Sequence, residues 1–142
     1  MAKKTHRLKQ VRPQVVDGRI KAPNAPRSAG QAKNLTFSLK YLQAGNFCFS
    51  KLDMNGKAGF SKAIFRRKDF TWTQLFQESR QSLGAEKLAI TAIKSSRPPH
   101  ITPEMNSYYG FRYNDKLRMV GYHEDSVFYI LWFDIAYRLY DH

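Results

Sequence analysis

Three strand-like runs near the C-terminus constrain the fold more than any other feature of this sequence. They span residues 108–113, 117–123 and 127–133. The connections at 114–116 and 124–126 are tight and polar, so we expect an antiparallel meander. The third run contains seven consecutive apolar residues, which is typical of a central strand that is covered on both faces.

A further strand is predicted earlier in the chain. Residues 35–41 alternate strictly between apolar and polar side chains, which favours a half-buried strand. A turn is expected at Gly45-Asn46, and residues 47–49 are predicted to return as a short second strand. The side chains expected on the buried face of the first strand are Leu35, Phe37, Leu39 and Tyr41.

The middle of the chain shows helical signals. Phe60, Ala63 and Ile64 have helical spacing, which predicts a helix over residues 57–70. A capping box at Thr71-Trp72-Thr73-Gln74 begins a second helix, for which Gly84 is the expected stop.

Two segments follow these helices before the meander. Residues 86–94 are compatible with a strand or with a helical turn, and residues 95–103 contain three prolines and are predicted to be a loop. The pattern as a whole indicates an α+β domain over residues 35–142, with one or two helices packed on one face of an antiparallel sheet.

The charge of the chain is concentrated in its first 34 residues. The formal net charge of the chain is +13, and residues 1–34 contain nine Lys or Arg and a single acid. Because this segment has few large apolar groups, we predict a flexible basic arm. Such an arm attracts polyanions by releasing counterions from phosphates. The predicted nucleic-acid-binding residues are Lys3, Lys4, Arg7, Lys9, Arg12, Arg19 and Lys21 in the arm, with Lys62, Arg66, Arg67 and Lys68 in the first helix.

Several classes of protein are disfavoured by what the sequence lacks. A single cysteine allows neither an intrachain disulfide nor a cysteine-based zinc site. No phosphate-binding glycine loop, nucleophile elbow or His-x-x-x-His pair is present, so no cofactor and no metal are expected. The longest apolar run is too short to cross a bilayer and no secretory signal is visible, so we expect a cytoplasmic protein without membrane association.

The C-terminal quarter of the chain carries a resemblance. Arg118-Met119-Val120-Gly121-Tyr122, an acidic turn, the apolar run 127–133 and then Arg138-Leu139-Tyr140 resemble the end of toxin domains of the RelE/ParE class. This ending is also similar to that of small bacterial and phage-associated proteins. The RelE class implies a helix-plus-curved-sheet fold and metal-free cleavage of messenger RNA by basic and tyrosine side chains. The matching positions are Arg118, Arg138 and Tyr140.

Metal-free cleavage of RNA requires proton transfer and stabilisation of a pentavalent phosphate. Guanidinium groups at Arg118 and Arg138 suit the phosphate, and His123 has a pKa suited to acid–base chemistry. Tyr140 and Tyr122 are candidates for base stacking or proton transfer. The alternatives are a solvated loop histidine, a sheet-surface arginine and packing aromatics. The candidate catalytic set is therefore Arg118, His123, Arg138 and Tyr140.

These features lead to one hypothesis with two alternatives. The leading hypothesis is an RNA-binding, toxin- or defence-like protein. In its further form, this hypothesis makes the protein a metal-independent endoribonuclease. The first alternative is a non-catalytic nucleic-acid-binding module. The second is an interaction subunit that docks on an acidic partner, such as an inhibitor protein.

Overall fold

A computed structural model describes residues 33–142 in full. Of the preceding residues it describes only the backbone of two short strands, β1 (Gln14–Val16) and β2 (Arg19–Lys21), which pair antiparallel. The rest of the predicted basic arm up to residue 32, and the side chains of all its predicted nucleic-acid-binding residues, lie outside this description.

A five-stranded sheet with two helices confirms the predicted α+β class. The strand order is β3-β7-β6-β5-β4, so the three C-terminal strands form the predicted antiparallel meander at the centre of the sheet. One edge strand, β3, runs parallel to β7. The five strands are β3 (Thr36–Ser38), β4 (Glu86–Ala89), β5 (Ser107–Asn114), β6 (Leu117–Glu124) and β7 (Val127–Phe133).

Both predicted helices form, but their bounds differ from the predicted ones. The first helix, α1 (Met54–Arg67), begins three residues early because the Asp53 carboxylate caps it, accepting a 2.7 Å hydrogen bond from the Gly56 amide. The second helix, α2 (Trp72–Gln77), begins with the predicted capping box.

The second helix ends well before Gly84. The Gly84 amide instead donates to the Ser79 carbonyl in a turn that follows the helix. A side chain at position 84 would overlap the backbone at Glu78, so glycine is needed for the turn and not as the helix stop.

The structure corrects two predictions in the segment between β3 and α1. The strand predicted over 35–41 pairs only over Thr36–Ser38, because the chain turns where the Leu42 amide donates to the Leu39 carbonyl. The strand predicted over 47–49 is wrong. Residues 49–51 form a 3₁₀ turn, and Phe47 meets the sheet through one hydrogen bond, from the Phe133 amide to its carbonyl.

The next two segments follow the sequence pattern. Residues 86–94 contain both of the expected structures, since β4 is followed by a 3₁₀ turn at Ile90–Ala92. The proline-rich segment 95–103 contains no helix or strand, as predicted.

Both faces of the sheet are buried, as the apolar run of β7 predicted. The helices cover one face, where Trp72 and Leu75 pack with Phe111 and Phe128. Loop segments cover the other face, where Ile101 and Leu139 pack with Trp132 and other buried residues. The helices therefore lie on one face, as expected.

A bulge between β6 and β7 sets which residues of β7 face each layer. Val120 pairs with Trp132 and Gly121 pairs with Ile130, so Leu131 is the extra residue. Side chains on either side of the bulge change their alternation as a result. A Cβ at Gly121 would overlap the Tyr129 carbonyl oxygen, so only glycine allows the two strands to approach here.

Gly121→Ala should therefore lower the free energy of unfolding by about 2 kcal/mol or more, because backbone and not a side chain must move. Urea denaturation followed by circular dichroism measures this change. Gly56→Ala in α1 is the matched control. The nearest atoms there include the flexible Leu52 side chain, and alanine favours the helix, so a change within about 1 kcal/mol is expected. Equal effects of the two substitutions would contradict this account of the bulge.

Candidate functional site

A basic cleft of about 690 Å³ lies between α1 and the turn that joins β5 to β6. Its cationic lining residues are Lys62, Arg66 and Arg67 from α1 and Arg112 from β5. Asp115 is the one acidic residue that lines it within the described part of the chain. We call this the basic cleft.

The cleft depends on a close approach of α1 to β5. A Cβ on Gly59 would lie 2.5 Å from the Tyr113 carbonyl oxygen, so glycine allows the helix to pass this close to the strand. Lys62 and Arg66 are one turn apart on the exposed wall of the cleft, as their helical spacing suggests. Lys68 lies outside the cleft and forms a 2.9 Å ion pair with Asp69.

Arg67 is buried at the side of the cleft with only 1% of its surface exposed. Its guanidinium donates to the carbonyls of Leu83 (2.9 Å), Ala63 (3.0 Å) and Ser82 (3.5 Å) and lies 5.1 Å from the centre of the Phe111 ring. Burial, with a smaller contribution from Arg66, lowers the pKa of Arg67 to about 10. Arg67 therefore stays charged at neutral pH, and no described carboxylate forms an ion pair with it.

Three arginines bind the carbonyls of one turn, residues 80–83, which we call the arginine-bound turn. Besides the bonds from Arg67, Arg112 donates to the Gln81 carbonyl (2.7 Å) and Arg118 to the Arg80 carbonyl (3.3 Å). Arg112 and Arg118 are cross-strand partners in β5 and β6. The Nε of Arg112 is buried with no hydrogen-bond partner among the described residues.

Sequence reasoning missed Arg112. It lies between the buried residues Phe111 and Tyr113, and the alternation of β5 showed only that it faces away from them. The contact to Gln81 joins residues 31 positions apart, so no local pattern could indicate it.

Arg118 and Tyr140 meet at Glu86, which belongs to β4. Arg118 Nε lies 2.8 Å from Glu86 Oε1, although its N–H is not aligned for a hydrogen bond, and the Tyr140 hydroxyl lies 3.4 Å from the same oxygen. Arg80 binds the other Glu86 oxygen at 3.2 Å. Burial, and then the Glu86 charge, raises the pKa of Tyr140 to about 12. The structure thus places Arg118, which is buried, in an ion pair with the partly buried Glu86.

Removing one partner of this ion pair should be costly, because the other is left as a buried unpaired charge. Glu86→Ala should lower the free energy of unfolding by about 3 kcal/mol in a urea titration. The double variant Glu86→Leu with Arg118→Met removes both charges, and it should recover most of that loss. An unchanged free energy of unfolding in Glu86→Ala would show that the burial of Arg118 does not depend on this carboxylate.

His123 lies at the other end of β6 from Arg118. The two residues are five positions apart along the strand, a distance of about 16 Å. The His123 ring stacks on Trp72 with 3.9 Å between ring centres, and Nδ1 is 3.4 Å from the Asp125 carbonyl oxygen. Burial lowers the pKa of His123.

Arg138 is the fourth candidate catalytic residue, and its side chain is exposed in the C-terminal segment. Its backbone amide donates to the buried Asp134 carboxylate at 2.9 Å, and the Leu139 amide donates to the same oxygen at 3.0 Å. The His142 ring lies 2.8 Å from the other Asp134 oxygen. Of the four predicted catalytic residues, the structure therefore brings together Arg118 and Tyr140, with His123 distant from Arg118.

The lowered pKa of His123 gives folding a defined pH dependence. As the pH falls below about 6.5, the unfolded chain protonates this histidine more readily than the folded chain does, so stability is lost. His123→Phe keeps an aromatic ring on Trp72 but removes the titration. Between about pH 7.5 and about pH 5.5, the variant should lose less unfolding free energy than the original protein in matched urea titrations. Equal losses in the two proteins would contradict this assignment.

Tyr122 belongs to a separate aromatic cluster on the loop-covered face. His100 stacks on Tyr41 at 4.1 Å between ring centres, and His100 Nε2 lies 3.0 Å from the Tyr122 hydroxyl. Burial is the largest of the causes that raise the pKa of Tyr122 to about 12. Tyr41, His100 and Tyr122 also line a pocket of about 430 Å³. In this pocket the Tyr41 and His100 rings already cover one face of each other by stacking.

Comparisons with protein-family models, with curated proteins and with solved structures found no match to this chain. The RelE/ParE resemblance therefore stays a prediction. Within residues 33–142, no group of three or more His, Cys, Asp or Glu side chains is arranged to hold a metal ion. In the same part of the chain, no helix is long and apolar enough to cross a membrane.

Proposed function

We propose that this protein binds nucleic acid, with the phosphate backbone held in the basic cleft. The observation that supports this most directly is the lining of the cleft, in which four cationic side chains face one acidic one. Guanidinium groups bind phosphate oxygens through two parallel hydrogen bonds, and lysine binds phosphate as a point charge.

The buried charge of Arg67 strengthens the attraction for an anion. The main-chain carbonyls satisfy its hydrogen bonds but do not neutralise its charge. Because the surrounding protein screens charge less than water does, this cation contributes a lasting positive potential in the cleft. Lys62 and Arg66 are exposed beside it and available to contact successive phosphates.

RNA is the nucleic acid we favour, on the basis of the sequence resemblance. The strongly basic composition of residues 1–34 adds a sequence-independent attraction for either polymer. The toxin- or defence-like role and RNA cleavage belong to the same hypothesis, and they have less support than binding. Glu86 neutralises Arg118, and a pKa near 12 makes Tyr140 a weak proton donor at neutral pH.

Binding is tested by exchanging charges in the cleft. Lys62→Glu with Arg66→Glu should weaken binding of a fluorescent single-stranded RNA more than tenfold in anisotropy titrations. The slope of log affinity against log salt should become shallower by about 1.4, as expected when two phosphate contacts to a single strand are lost. The same titration with DNA of the same sequence measures the preference for RNA.

Lys57→Glu with Lys68→Glu is the matched control, since it changes the net charge equally but outside the cleft, with Lys57 in α1 and Lys68 capping the end of that helix. This variant should lose little affinity. Equal weakening by both double variants would indicate attraction to overall charge, and no weakening by either would reject the cleft as the site.

Cleavage is tested separately by incubating the protein with total RNA, with and without EDTA, and mapping new 5′ ends. Binding without new 5′ ends supports the non-catalytic alternative. New 5′ ends that persist in EDTA and disappear in Arg138→Ala or Tyr140→Phe would establish the metal-independent endoribonuclease instead.

A further inference from the structure

An apolar groove of about 600 Å³ lies on another side of α1, between this helix and β3. Phe37, Phe60 and Ile130 contribute to its apolar lining. At its margin, 68% of Phe65 and 40% of Leu39 is exposed. We call this the apolar groove. It is separate from the basic cleft, and the two share no lining residue.

The exposure of Phe65 is not explained by the packing of the described residues. The Lys68 amine lies 5.3 Å from the centre of the Phe65 ring, and the rest of the ring faces outward from α1. Isolated exposed apolar residues are common, but a concave set with a floor of partly buried aromatics is typical of an interaction surface.

The charges around the apolar groove indicate which kind of partner segment it would bind. Lys57 and Lys68 line it, and no carboxylate lines it among residues 33–142. Asp69 is nearby and binds Lys68, but both side chains are largely exposed, so this pair is readily exchanged.

We infer that the apolar groove docks a segment of another protein that combines aromatic or aliphatic residues with acidic ones. A second copy of this chain is disfavoured because each copy carries a formal net charge of +13. The N-terminal residues of the same chain are disfavoured for a similar reason, since residues 1–34 contain nine Lys or Arg and one acid. An acidic segment complements the two lysines, while its apolar side chains cover Phe65 and Leu39.

The edge strand β3 adds a second means of holding an extended segment. In the described part of the chain, β3 pairs with β7 on one side only, and its Phe37 lines the groove. An extended partner segment in the groove would therefore lie beside an edge with backbone groups available for pairing.

Selection of peptides from a random displayed library on the full-length protein tests this inference. At about 0.15 M salt, selected peptides should combine acidic residues with at least two large apolar residues. Phe65→Ser should weaken binding of the synthesised peptides about tenfold or more, as expected for an aromatic anchor. Because Phe65 is exposed, the variant should keep the thermal unfolding temperature of the original protein.

Charge variants on the two sides of α1 distinguish this site from the basic cleft. Lys57→Glu should weaken peptide binding, whereas Lys62→Glu should leave it unchanged and weaken RNA binding instead. Peptides that depend on Lys62 and not on Phe65 would overturn the inference, because an acidic peptide would then simply occupy the basic cleft. Failure of RNA binding alone would leave this result unaffected.

A benzophenone side chain at position 65 and analytical ultracentrifugation together test the two rejected occupants. Crosslinks that map within residues 1–32 of the same chain would overturn the inference in favour of an intramolecular contact. A concentration-dependent dimer in analytical ultracentrifugation that Phe65→Ser abolishes would overturn it in favour of self-association.

Discussion

The basic cleft depends on buried guanidinium groups that bind a single turn of backbone. Removing an arginine from water is unfavourable unless its donors find partners, and Arg67 finds them in the Ala63, Ser82 and Leu83 carbonyls. The carbonyl groups of the arginine-bound turn have no backbone hydrogen-bond donors from a helix or a strand within residues 33–142, and the arginines supply those donors. This exchange holds the segment after α2 against α1 and β5. Because the carbonyls solvate the arginine charge but do not neutralise it, a net positive charge remains beside the cleft.

Two different surfaces of α1 follow from the same helical geometry. Lys62 and Arg66 are four positions apart and share the wall of the basic cleft, whereas Lys57, Phe60 and Phe65 line the apolar groove. A helix with one buried stripe ordinarily presents a single solvated face. Here, α1 approaches β5 closely at Gly59, and the helix contributes lining residues to the basic cleft and, on another side, to the apolar groove. The two proposed interactions can therefore be altered independently.

Local patterns predicted the parts of the fold that local physics determines. The apolar run of β7, the tight turns beside it and the Thr71 capping box all specify their own conformation, and each is present. The predicted strand at 47–49 failed because alternation of aromatic residues cannot show which backbone groups will pair. Phe47 makes one bond to β7, after which the chain closes a 3₁₀ turn. The bulge opposite Gly121 was likewise hidden, since it depends on the partner strand.

The candidate site shows the same limit more strongly, because its interactions join distant parts of the chain. The resemblance to the RelE class and the chemistry of guanidinium make Arg118 a predicted phosphate-binding residue, yet its buried charge faces Glu86, 32 positions earlier. The sequence groups Arg67 with Lys62, Arg66 and Lys68 as predicted nucleic-acid-binding residues of the first helix. Of these four, Arg67 is the one that is buried, and it has no carboxylate partner among the described residues. With a pKa of about 10, Arg67 keeps its charge across the physiological pH range. The proposed attraction of the cleft for an anion should consequently depend on salt, which screens its exposed cations, and only weakly on pH.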